Sequence, residues 1–245
     1  MPRASLAEEL ADRLLEEIIG GEHPPGSSLP SELELAQKAG VSRLTVREAI
    51  KTLRATNVVE IRRGRGTFVN PPVRWTAIES VLRAARSASG VEGVVGIPYR
   101  LLEARRIIEV NVAELAAARR TDEDLAAMEK CQAAMEEAHR AGDVEAVVAA
   151  DIGFHQAVLD AAANPFISAL FDPLAAQLVE ARRQTSAHPE IREHAIQHHR
   201  NLIAAIRASD PERARWAMHG HMSQTENDLG TYVFDRHPPR PEKPS

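Results

Sequence analysis

LPSELELAQKAGVSRLTVREAIKTLRATNVVEIRRGRGTFV, residues 29–69, reads as two helices across a tight turn followed by two short β-rich runs. Pro30 precedes Ser31, an N-cap type, and the short helix that begins there stops at Gly40. Ser42 then caps SRLTVREAIKTLRATN, in which Val46, Ile50 and Leu53 form the apolar seam. Helix, turn at Ala39-Gly40-Val41, helix is the helix-turn-helix order. Arg43, Thr45 and Arg47 occupy the first turns of the second helix, where a recognition helix meets base edges and phosphates. VVEIRR and GTFV, joined around Gly64-Arg65-Gly66, make a hairpin with a basic tip. Its Arg62, Arg63 and Arg65 are placed to reach phosphates or the minor groove. Upstream, residues 5–20 form a helix with Leu6, Leu10, Leu14 and Ile18 at four-residue steps, ended by Gly20-Gly21 and the Pro24-Pro25-Gly26 loop.

Charge distribution agrees with that reading. The whole chain of 245 residues carries a net charge of −5, which by itself argues against a nucleic-acid binder. Between Lys38 and Asn70, however, eight basic residues (Lys38, Arg43, Arg47, Lys51, Arg54, Arg62, Arg63 and Arg65) face only Glu48 and Glu60. A basic reader on an acidic body is the electrostatic footprint of a DNA-binding module. Cys131 is the only cysteine, so intramolecular disulfides and thiolate zinc sites are excluded. No apolar run approaches the ~20 residues needed to span a bilayer. The acidic, amphipathic start does not read as a signal peptide, and a cytoplasmic protein is expected.

Beyond Pro71-Pro72 the chain is alanine-rich, with breaks at helix-length intervals near Ser89–Pro98, Thr121, Gly142-Asp143, Asn164-Pro165, His188-Pro189 and Ser209-Asp210-Pro211. Thr121, Asp143, Asn164 and Asp210 are N-cap types. The expected fold is mainly α: an N-terminal winged helix-turn-helix over 1–71, a linker at 72–75, an antiparallel bundle of six or seven helices over 76–234, and a disordered Pro-rich tail at 235–245.

Three helices of this bundle carry ionisable residues at the centre of an apolar face. In VEAVVAADIGFHQAVL, residues 144–159, Asp151 and His155 are four apart, about 40° on a helical wheel, among Val144, Val147, Val148, Phe154 and Val158. His199 sits among Ala195, Ile196, Leu202, Ile203 and Ile206; His221 sits among Ala214, Ala217, Met218 and Leu229. A buried carboxylate is costly unless paired or metal-bound. Three imidazoles and one carboxylate pointing inward therefore suggest a divalent metal site, with zinc foremost and nickel or manganese also compatible. If the helices flanking Ser209-Asp210 fold back on each other, His199 and His221 come to the same level. His194, His198 and His219 fall off the apolar faces and read as surface residues. Arg105 is likewise central to an arc of Leu101, Leu102, Ile108, Val112 and Leu115. Two readings stay open for it: an internal ion pair with Glu109 one turn on, or bidentate capture of a ligand carboxylate. Arg106 reads as solvated.

Residues 29–69 resemble the winged helix-turn-helix of GntR-family transcription regulators. That resemblance implies DNA contacts at Arg43, Thr45, Arg47 and the wing glycine Gly64. Leu33 departs from it, standing where the family usually has an arginine, so an operator sequence does not transfer from relatives. LLEARRIIEV, DIGFHQAVLDAAANPF and HHRNLIAAIRASDPERARWAMHGHM, within residues 75–230, are similar to the helical ligand-binding (FCD-type) domain of the FadR-type branch. The branch implies metal ligands at Asp151, His155, His199 and His221 and an effector-contacting arginine at Arg105. Leu102 replaces the branch's usual tyrosine. The combined expectation is a homodimeric, ligand-responsive regulator, most simply a repressor. It would read palindromic double-stranded DNA and bind a small carboxylate. Two alternatives remain at this stage: a metal-dependent hydrolase-like enzyme, for which no general base is evident, and a regulator whose metal is structural or is itself the signal.

Overall fold

The computed structural model describes residues 5–88 and 90–234. The chain divides into two compact units, 1–94 and 95–245. In the first, α1 (Leu6–Ile19), α2 (Glu32–Ala39) and α3 (Arg43–Ala55) precede the hairpin of β1 (Val59–Arg62) and β2 (Gly66–Val69), and α4 (Ile78–Ala88) follows. Ser5 and Ser31 each form a reciprocal capping box, with Glu8 and Glu34, and Ser42 caps α3 through the Thr45 amide. Leu10, Leu14 and Ile18 of α1, Leu35 of α2, and Val46, Ile50 and Leu53 of α3 share one core with Val59, Val69 and Trp75.

β1 and β2 are antiparallel, with Val59 opposite Val69 and Arg62 opposite Gly66. The segment Gly26–Leu29, expected as loop, pairs with β2 as well. The Gly26 amide donates to the Val69 carbonyl and the Leu29 amide to the Thr67 carbonyl, both at 2.8 Å. The wing sheet thus gains a short third ribbon that covers an otherwise open strand edge. Over the expected linker the chain makes a single 3-10 turn, Pro72–Arg74. Trp75 after it is buried, its indole N–H donating to the Asn70 carbonyl at 3.0 Å.

The second unit contains α5 (Gly90–Arg119, whose first residues belong to the preceding unit), α6 (Asp122–Ala141), α7 (Val144–Ala161), α8 (Pro165–Ser186), α9 (Pro189–Arg207) and α10 (Pro211–Asp228). A π-helical turn, Leu229–Val233, continues α10. Thr121, Asp143, Asn164 and Asp210 cap their helices as expected. Two- or three-residue connections join consecutive helices, and from α6 to α10 each helix packs against the next. At the α6–α7 turn Gly142 supplies the left-handed backbone, φ +70°, that reverses the chain. The break expected near Ser89–Pro98 differs: α5 runs through Pro98. A proline there removes one backbone donor, and the helix extends on both sides of it. Ser89 and the 235–245 tail lie outside the described residues. Among the described residues no helix is long and apolar enough to cross a membrane.

Candidate metal centre and nucleic-acid interface

α7 contributes the inner wall of the site because its mid-helix residues Val147, Val148, Asp151, Phe154, His155 and Val158 are all buried. The α9–α10 hairpin brings His199 and His221 to the same depth, and ligand nitrogens of His155, His199 and His221 lie within 4.8 Å of one another. The Nε2 atoms of His155 and His221 are 3.4 Å apart. Asp151 Oδ1 lies 3.5 Å from His199 Nε2 and 3.8 Å from His155 Nε2. The three imidazoles thus form one mutually close donor group of the kind that suits a zinc-sized ion, while Asp151 flanks two of them with its other oxygen turned to Arg182.

Orphaned atoms sharpen the fit. His199 is fully buried, its ring stacks on Phe154 at 3.8 Å between centroids, and neither of its nitrogens has a hydrogen-bond partner. An imidazole in that position normally finds an acceptor or a metal. Burial pushes His155, His199 and His221 well below the ordinary histidine range, and the nearby guanidinium groups push the same way. All three are therefore neutral, the form that coordinates. Burial opposes ionisation of Asp151, but Arg182 above all, with further cationic neighbours, outweighs it and holds the carboxyl below its usual range.

A second layer surrounds these four side chains. Glu109 Oε2 lies 2.5 Å from His155 Nδ1, a charge contact without hydrogen-bond alignment. A carboxylate there favours the proton on Nδ1 and leaves the Nε2 lone pair facing the cluster. Arg105 is buried, donating from Nε to Glu109 Oε1 at 2.7 Å and lying with Nη2 3.1 Å from His155 Nε2. The ion pair and the pocket position expected as alternatives for Arg105 are thus present together. Arg182 of α8 was not anticipated. It is buried, with Nε 2.7 Å from Asp151 Oδ2, and the cost of burying it lowers its pKa to about 10. Its signal was available: Phe171, Leu174, Leu178 and Arg182 run down one buried stripe of α8.

Several outlying readings shift. Arg106 is not free in solvent but pairs with Glu226 across to α10. His194 lies 3.1 Å from the buried Asp228. His198 is half-buried, its ring centroid 5.8 Å from that of His221, whereas His219 is exposed as expected.

On the other unit, Arg43 and Arg47 project from the exposed side of α3 and share Glu32 of α2, Arg47 at 2.8 Å. The Thr45 hydroxyl is 2.9 Å from that of Ser42. Leu33 and Leu44 are exposed beside them. At the wing tip Gly64 has φ +72°, a left-handed turn that places Arg63 and Arg65 in solvent. Arg62 lies over the Phe68 ring at 4.2 Å and pairs with Glu60.

Two family models cover most of the chain: "Bacterial regulatory proteins, gntR family" matches residues 6–69 and "FCD domain" residues 100–224. The regulator LutR of Bacillus subtilis is 32% identical over 222 residues, spanning 88% of this chain and 97% of its own. The galactonate operon transcriptional repressor of Escherichia coli is 31% identical over 208 residues, 82% of this chain and 86% of that one. Among solved structures, Streptococcus agalactiae GntR superposes with a TM-score of 0.50 at 32% identity, covering 89% of this chain and 98% of its own. A winged helix-turn-helix followed by a histidine-lined helical bundle defines a transcription regulator. This chain belongs to the GntR family, in its FadR-type branch with an FCD domain.

Proposed function

We propose that the chain is an effector-responsive repressor that acts as a homodimer. Its recognition helices, through Arg43, Thr45 and Arg47, and its wings, through Arg62, Arg63, Gly64 and Arg65, would read the two halves of a palindrome, about one helical turn apart. Asp151, His155, His199 and His221 hold a divalent metal, zinc foremost, with nickel and manganese compatible with the same donors. Such an ion supplies open coordination positions and positive charge for a small carboxylate, which Arg105 orients with its guanidinium. The ligand acts by binding the DNA-competent and DNA-incompetent arrangements with different affinity. A carboxylate ligand is consistent with the relative named for a galactonate operon.

One observation carries the metal reading: His199, fully buried, has two partnerless nitrogens and faces two further imidazoles and a carboxylate. Elemental analysis of freshly purified protein tests it. About one metal equivalent per chain is expected, lost in a His199→Ala/His221→Ala variant. Failure to hold zinc, nickel or manganese even after reloading would reduce the histidines to core residues.

A further inference from the structure

Arg182 has a donor to spare in a place where donors are not left idle. It is 5% exposed, and neither its Nε nor its Nη2 has an aligned hydrogen-bond partner, although Nε lies 2.7 Å from Asp151 Oδ2. A buried guanidinium group with unmet N–H groups is the kind of feature that a ligand oxygen resolves.

Charge counting leads to the same place. Among the described residues, the buried ionic groups around the three histidines are Arg105, Arg182, Glu109 and Asp151, two of each sign. With the imidazoles neutral, the cluster sums to zero, and a divalent ion raises it to +2. Uncompensated charge of that size is not tolerated in an apolar interior. A monocarboxylate would cancel half of it; a dianion would cancel all.

The geometry supplies one clamp for each end. Arg105 reaches His155 through Nη2, and Arg182 reaches Asp151 through Nε. The two residues contacted are one turn apart on α7, and their side chains converge, His155 Nε2 lying 3.8 Å from Asp151 Oδ1, so the two guanidinium groups approach one small space from different helices. His155 Nε2 has a single lone pair, which serves either Arg105 or a metal, so metal ligation frees that Arg105 donor for a ligand oxygen. Resting on the metal-and-effector reading above, we propose that the effector is a short dicarboxylate, one carboxylate on the metal and Arg105, the other on Arg182.

Isothermal titration of the full-length zinc-loaded protein tests this with two matched pairs: L-malate against L-lactate, and tartronate against glycolate. Free zinc is buffered and protein-bound zinc is checked by elemental analysis, since diacids also chelate the ion. The diacid of each pair should bind at least tenfold tighter. Arg182→Gln should cut that preference to threefold or less, and Arg182→Lys, which keeps the charge without the fork, should retain part of it. Equal or tighter binding of the monoacids would overturn the dianion inference while leaving the effector site standing. A preference undiminished in both variants would assign it to the metal alone and remove Arg182 from the site. If none of the four acids bound to protein that retains its zinc, the effector reading and this inference would fall together.

Discussion

His199 shows how one side chain ties stability to pH. His155, His199 and His221 all lie well below the usual histidine pKa because burial disfavours their charged form. The unfolded chain takes up protons near pH 6.5 and the folded chain does not, so folding weakens as pH falls through that value. Each imidazole contributes at most ~1.4 kcal/mol per pH unit in that window. Asp151, whose pKa is depressed instead, adds its loss only below about pH 4. Urea unfolding of chelator-treated protein between pH 7.5 and 5 should therefore show stability dropping on acidification, with roughly a third of the slope removed by His199→Leu. A flat profile would mean these rings are solvated or already charged. The four inward ligand candidates were legible because helical periodicity placed each on an apolar arc. Glu109 was legible only as a partner for Arg105, since its approach to His155 depends on how α5 meets α7. Arg182 was missed because its neighbour Arg183 is exposed, paired with Glu145, and makes the local sequence read as solvated charge.

At the scale of elements, short-range signals were the dependable ones. Ser31, Ser42, Thr121, Asp143, Asn164 and Asp210 cap helices as their types predict, because a cap depends on atoms two or three residues away. The Gly26–Leu29 ribbon was not legible: four residues after two prolines carry no alternation, and their partner is β2, some forty residues on. The wing itself makes a separable prediction. Arg62 is engaged with Glu60 and Phe68, while Arg63 stands exposed at the tip. A phosphate contact contributes about 0.9 to the slope of log affinity against log salt. Arg63→Gln should therefore lower that slope by about 1 per protomer, measured by fluorescence anisotropy on a 24-base-pair duplex of arbitrary sequence. An unchanged slope would place the wing away from the backbone and leave phosphate contact to α3.

The whole molecule contains two cores of different character. The first is closed by aliphatic residues around Trp75 and needs no ion. Among the described residues the second encloses, around its three inward imidazoles, the guanidinium groups of Arg105 and Arg182 and the carboxylates of Glu109 and Asp151, so part of its stability is held by polar groups that a cation would complete. Sequence periodicity revealed that helices α7, α9 and α10 each carry a polar residue inward. It could not reveal their mutual rotation, which long-range packing sets and which decides whether His155, His199 and His221 meet. Metal binding to the folded form alone stabilises by RT ln(1 + [L]/Kd), about 2.7 kcal/mol at a hundredfold excess over Kd. Because the ligands all belong to the second unit, that gain should appear in one part of the unfolding profile and not the other. Scanning calorimetry of the full chain, with and without chelator, should show a transition that falls by several degrees on zinc removal and recovers on zinc addition. A second transition should stay in place. In His221→Ala the metal-sensitive transition should stop responding while the other is unaltered. Were both transitions to move together with zinc, the two units would unfold as one cooperative body, and the metal would be stabilising the reader as well as the bundle.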